Sequence, residues 1–135
     1  MFPVNNSHTR RQCRSQLSFL YEAINAYGVK YCYLPQNINQ DDWIRPFLEF
    51  IDIQEVDIGK ILICPGETDL NSICSTETKG AGSFKSSYKF NTRILEDKWE
   101  ILKIDKVPLL IEKNPNHKGK IFILYTNGAI EDYEP

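Results

Sequence analysis

The chain has 135 residues, of which 41% are hydrophobic and 25% charged, enough for one core and too few for two, so a single domain over residues 1–135 is expected. A formal charge of −2 and a pI near 5.7 leave no broad basic field, which argues against a nucleic-acid partner or an anionic membrane surface. No apolar run approaches the ~20 residues that cross a bilayer, and residues 1–11 lack the apolar stretch of a signal peptide.

Asn5 and Ser7 are candidate caps for a helix over about residues 8–27, in which Cys13, Leu17, Leu20, Ile24 and Tyr27 recur at helical spacing and Gly28 is the expected stop. Phe19, Ala23 and Ala26 widen that apolar face, and so broad a stripe predicts a helix lying against a sheet. Arg10, Arg11 and Arg14 form the tight basic cluster, either a solvated helix face or a headgroup contact beside a membrane anchor. Residues 31–34 are a short apolar run ended by Pro35. Residues 41–50 (DDWIRPFLEF) read as a short helix or turn that turns Trp43, Phe47, Leu48 and Phe50 inward, with Pro46 limiting its regularity.

Downstream the period changes. Residues 58–64 (IGKILIC) read as a strand cut off by Pro65 and Gly66, and the Gly-, Ser- and Thr-rich stretch to Ser83 as a long loop. Further strands are expected at residues 86–94, 99–104 and 107–112, with Pro108 marking an edge or a strand start. Residues 120–125 and 129–133 flank Asn127-Gly128, the signal of a hairpin with a two-residue type I′ turn. The order predicts an α+β fold, with a helix over about 8–27 packed on an antiparallel sheet over about 58–134 that ends in a hairpin.

Chemistry has few anchors in this sequence. His8 and His117 are the two histidines, so an imidazole catalyst would have to be His117. A Cys64–His117 nucleophile pair can be drawn, but Cys64 closes an apolar strand and suits a disulfide better than an exposed thiolate. His117 then reads as a polar residue at a strand entrance, bonded across a loop to the final hairpin. Glu67, Asp69 and Asn71, and separately Glu131, Asp132 and Glu134, could offer oxygens to calcium, but neither set matches a calcium motif and both read as solvated acidic loops. No P-loop, dinucleotide turn or nucleophile elbow is present, so no cofactor, no metal and no catalytic residue is expected. Tyr31, Tyr33, Trp43, Phe84, Tyr88, Trp99, Tyr125 and Tyr133 are either core or a ligand or subunit surface. The cysteines Cys13, Cys32, Cys64 and Cys74 form no C-x-x-C pair, which argues against a zinc or thioredoxin-like site. Four in a small domain fit an oxidised, extracytoplasmic setting, the alternative being buried thiols in a cytoplasmic protein.

Five segments in order resemble the bacterial pilin-like proteins that carry the prepilin-type processing-associated H-X9-DG domain. Residues 9–28 (TRRQCRSQLSFLYEAINAYG) are similar to the family's Arg-rich, Cys-containing helix continuing outward from the membrane, and DDWIRPFLEF to its Trp followed by a Leu-Pro-Tyr-Leu-Glu-like stretch. LICPGETD, with Cys64-Pro65, resembles the family's strand ending in Cys-Pro-Ser-Asp, and SSYKFN its Ser-Tyr-x-x-Asn block. Most specific is His117, nine intervening residues, then Asn127-Gly128, with Asn in the Asp position. The chain as given opens on Met1-Phe2-Pro3 in place of a leader and membrane helix.

The resemblance implies a pilin-like head: a non-enzymatic structural or assembly component of a pseudopilus, type II secretion or related surface apparatus. Its partners would be protein subunits, with membrane contact only through an N-terminal helix absent from this chain. Its place would be extracytoplasmic, in the periplasm or at the cell surface. A soluble ligand- or protein-binding subunit using the same fold is the alternative. In this layout Cys13, on the inward stripe, and Cys64, at the end of a strand beneath the helix, could form a bridge, leaving Cys32 to pair with Cys74. A local Cys64–Cys74 bridge and free thiols remain open alternatives.

Overall fold

The computed structural model describes residues 6–52, 57–66 and 85–135. The fold is α+β, with an N-terminal helix and a four-stranded antiparallel sheet. Helix α1 (Asn6–Tyr31) buries Cys13, Leu17, Leu20, Ala23 and Ile24, the stripe expected from the 3.6-residue period, and leaves Phe19 partly exposed at 37%. Its ends differ from expectation. Ser7 lies inside the helix, and Asn5 falls outside the described residues. Gly28 does not stop it, because that position faces the indole of Trp99 and a Cβ there would come within 2.3 Å of Trp99 Cγ. The left-handed turn falls instead on Cys32, at φ 69°, whose N–H closes onto the Gly28 carbonyl at 2.8 Å.

The segment expected as a short helix or turn is two 3₁₀ turns, Gln40–Asp42 and Arg45–Phe50. The Asn39 side chain caps the first by accepting from the Asp41 N–H, and Pro46 opens the second, where no helical donor is needed. They carry Trp43 and Phe47 into the core, where Trp43 Nε1 donates to the Tyr88 carbonyl at 3.0 Å and both rings pack on Phe90.

Two expected strands are helices. Residues 58–64 contain the single turn α2 (Ile58–Ile61), started by Asp57, whose carboxylate accepts from the Lys60 N–H. A capping acid thereby outweighs the β-branched composition. Residues 99–104 belong to α3 (Trp99–Asp105), which buries Trp99 and Leu102, three apart, exposes Ile101 and Ile104, and ends at left-handed Lys106. That burial has the helical period and not the strand period of two.

The sheet runs β1 (Tyr88–Phe90), β2 (Pro108–Glu112), β3 (Ile121–Tyr125), β4 (Ile130–Tyr133) in spatial order. Strand β1 is shorter than residues 86–94, since Thr92–Ile94 form a 3₁₀ turn capped by Asn91. β2 is an interior strand, so Pro108 marks its start and no edge, and the pairing shifts register just after it. The register sets Tyr88 opposite Glu112, Phe90 opposite Leu110, and Leu110 opposite Leu124. With Phe122 these side chains share the face turned to the core, and a glutamate sits in that row.

The C-terminal hairpin is present, with a different turn. Asn127 has negative φ and Gly128 has φ 90°; Gly128 N–H bonds Tyr125 O at 2.9 Å, and Tyr125 N–H bonds Ala129 O at 2.8 Å. This is a three-residue loop, Thr126-Asn127-Gly128, with glycine in the left-handed bulge position. The two-residue turn with both φ values positive lies upstream at Lys118-Gly119 (φ 55° and 82°), closed by paired backbone bonds between His117 and Lys120.

Candidate functional site

Four described segments deliver ionisable side chains to one point in the core. α1 supplies Cys13, the stretch after α2 supplies Cys64, the end of β2 supplies Glu112, and the Lys118-Gly119 turn supplies His117. One ligand atom from each lies within 4.8 Å of every other, and all four residues are buried, His117 at 1% and Glu112 at 3% exposure. His117 Nε2 stands 3.1 Å from Glu112 Oε1 and 3.5 Å from Cys64 Sγ. Cys13 Sγ lies 3.9 Å from Glu112 Oε2 and 3.2 Å from the Tyr88 hydroxyl.

Further groups hold this arrangement. The Phe122 N–H donates to Glu112 Oε1 at 2.6 Å and Asn116 Nδ2 to Glu112 Oε2 at 3.3 Å. The Ser87 hydroxyl accepts from the Cys64 N–H at 2.9 Å, fixing the strand-less segment that carries the thiol. The imidazole packs on the Phe122 ring with centroids 4.2 Å apart, and the Arg10 and Arg14 guanidiniums lie 5.1 and 5.6 Å from that ring's centre. Arg10 also pairs with Asp132 at 2.8 Å and Arg14 reaches the Ile130 carbonyl, so this part of the basic cluster seams α1 to β4.

Charge is regulated by contact. Burial opposes a charged imidazole, but the bonds to Cys64 and Glu112 outweigh it and raise the His117 pKa to about 9. The hydrogen bond with Cys13, followed by burial, pushes the Cys64 thiol up, and burial holds the Tyr88 phenol far above its ordinary value. A thiolate nucleophile needs a lowered pKa, access, and a base oriented through its second nitrogen. Here the thiol is raised and shielded, and Glu112 competes with Cys64 for the same Nε2. The pair has the spacing of a relay without its orientation.

Of the residues singled out by sequence, Trp43 is core, Pro65 is exposed beside buried Cys64, and Asn127 is exposed at the hairpin loop, with Gly128 against Tyr21. His117 stands at the entrance of β3, bonded to Glu112 and Cys64. Cys13 and Cys64 face each other as free thiols, and Cys32 is an exposed thiol; Cys74 lies outside the described residues, as do Phe84 and the Glu67, Asp69, Asn71 set. Glu131 and Asp132 pair with Lys106 and Arg10. Glu112 was missed as a site residue; the available signal was its period-two alignment with Leu110, which puts a carboxylate on the core face.

A second feature is a groove of about 560 Å³ where the C-terminal turns of α1 meet α3, lined by Gly28, Val29, Cys32, Trp99, Lys103 and Ile104 among others. Val29 and Ile104 are 66% and 78% exposed. No family model, curated protein or solved structure matches the chain.

Proposed function

We propose that this chain is a non-enzymatic assembly component, a pilin-like head serving a pseudopilus, type II secretion or related extracytoplasmic apparatus. One observation carries the reading: the five segments of the family resemblance meet in a single interior. Cys13 from the first touches Tyr88 from the fourth, Trp43 from the second donates to that tyrosine's carbonyl, and Cys64 from the third contacts His117 from the fifth. Segments far apart in sequence that pack as one unit behave as parts of one fold, and buried polar contacts of this kind stabilise a scaffold without needing solvent access. The solvent-facing apolar groove at the end of α1 offers a subunit contact.

A photocrosslinker at Ile104, introduced into the natural gene in its own cells, tests this. A membrane-associated series of crosslinked subunits is expected. A monomer that remains uncrosslinked in the soluble fraction overturns the reading, and capture of one soluble partner in place of a subunit series overturns it in favour of the ligand- or protein-binding alternative.

A further inference from the structure

We propose that Cys13, Cys64, Glu112 and His117 form a closed structural zinc site. The proposal does not depend on the assembly reading, because it rests on donor chemistry and geometry alone. Two thiols, an imidazole and a carboxylate are the donor types that Zn(II) takes, and structural zinc sites are four-coordinate and shut off from solvent. Bond lengths of about 2.3 Å to sulfur and about 2.0 Å to nitrogen or oxygen give a tetrahedron with edges of roughly 3.3–3.8 Å. His117 Nε2 lies 3.1 Å from Glu112 Oε1 and 3.5 Å from Cys64 Sγ, and Cys13 Sγ lies 3.9 Å from the other carboxylate oxygen. One donor from each of the four residues falls within 4.8 Å of all the rest, so side-chain shifts of up to about 1 Å close the shell.

The directions fit as well. Nε2 faces both the Cys64 sulfur and the Glu112 carboxylate, which is what a shared central ion requires and what a proton relay does not. Surrounding donors supply an outer shell: the Phe122 N–H and Asn116 amide hold the carboxylate, and the Tyr88 hydroxyl can donate to the Cys13 sulfur. On binding, both thiols ionise and the imidazolium gives up its Nε2 proton, so three protons leave to solvent; the ion, two thiolates and one carboxylate then carry one net negative charge. Arg14, 5.6 Å from the centre of the Phe122 ring that packs on His117, brings a positive charge to this side of the cluster, while Arg10 beside it is paired with Asp132. Without an ion this core buries the His117–Glu112 ion pair, whose desolvation is expensive in a small domain. The absence of a C-x-x-C pair hid the site, since each ligand comes from a different segment.

Reduced protein stripped of metal by chelation is titrated with Co(II), then with Zn(II). One Co(II) per chain is expected, with tetrahedral visible bands and a thiolate charge-transfer absorption that Zn(II) abolishes. Cys13→Ser and Cys64→Ser should each remove about half of that absorption and weaken Zn(II) binding by at least about 100-fold. Cys32→Ser, outside the cluster, should change neither. The unmutated protein decides the matter even if a serine variant fails to fold. Absence of the charge-transfer band in folded, reduced protein overturns the proposal, as does a Cys13–Cys64 disulfide in protein purified under metal-replete, anaerobic conditions.

Discussion

Gly28 and Trp99 are in direct contact: the glycine Cα faces the indole so closely that a Cβ would lie 2.3–2.6 Å from three ring carbons. The Trp99 indole N–H also donates to Asn25 Oδ1 at 2.8 Å, one turn back on α1, and its backbone N–H to Cys32 O at 2.8 Å. The ring is therefore held on both sides of the glycine and cannot step aside. Gly28→Ala is expected to cost about 3 kcal/mol by overpacking, despite alanine's better helix propensity. The Gly28→Ala, Trp99→Ala double variant should lose clearly less than the sum of the two single losses in urea unfolding, and strict additivity would remove the contact from the account.

Gly119 and Gly128 separate backbone strain from crowding. Both have positive φ, but a Cβ at Gly119 meets open space whereas one at Gly128 comes 3.2 Å from the Tyr21 ring. Gly119→Ala should cost about 1 kcal/mol through conformation alone. Gly128→Val should cost more, because a branched side chain adds the Tyr21 clash to the same strain. Equal losses in thermal unfolding would contradict this.

Replacing Trp43 by Phe removes the indole N–H that bonds the buried Tyr88 carbonyl, while Arg10→Ala removes a half-exposed ion pair with Asp132. The first should cost roughly 1–3 kcal/mol and the second at most about 1 kcal/mol, with only the second loss shrinking in high salt. Denaturant midpoints at two ionic strengths check both statements.

In metal-free, reduced protein, stability should fall as pH rises from 6.5 to about 9. The His117 pKa is raised to about 9 by its contacts with Cys64 and Glu112, against burial, so the folded state holds a proton that the unfolded chain releases near 6.5. The contribution is complete below 6.5 and lost as pH passes through the folded value. Cys64, Glu112 and Phe122 pack around the ring, with Cys13 and Tyr88 behind them. His117→Gln should flatten this limb of the urea-midpoint profile, and a persistent slope would assign it to another group.

The sequence by itself determined the α+β class, the buried stripe of α1, the inward Trp43 and Phe47 and the C-terminal hairpin. Each follows from a local period or from residues adjacent in the chain. Local composition misassigned residues 58–64 and 99–104, since β-branched and apolar residues suit a strand until a cap at Asp57 or the burial of Trp99 with Leu102 selects a helix. It also put the left-handed cap at Gly28, although close packing on Trp99 claims that glycine and Cys32 turns the chain. The type I′ turn belongs to Lys118-Gly119, closed by the His117–Lys120 backbone bonds, and not to the Asn127-Gly128 pair that suggested it. The Cys13, Cys64, Glu112, His117 cluster was decided only by tertiary structure. Its members come from four segments with no shared spacing, and only the packing of those segments on one another brings their donor atoms within 4.8 Å.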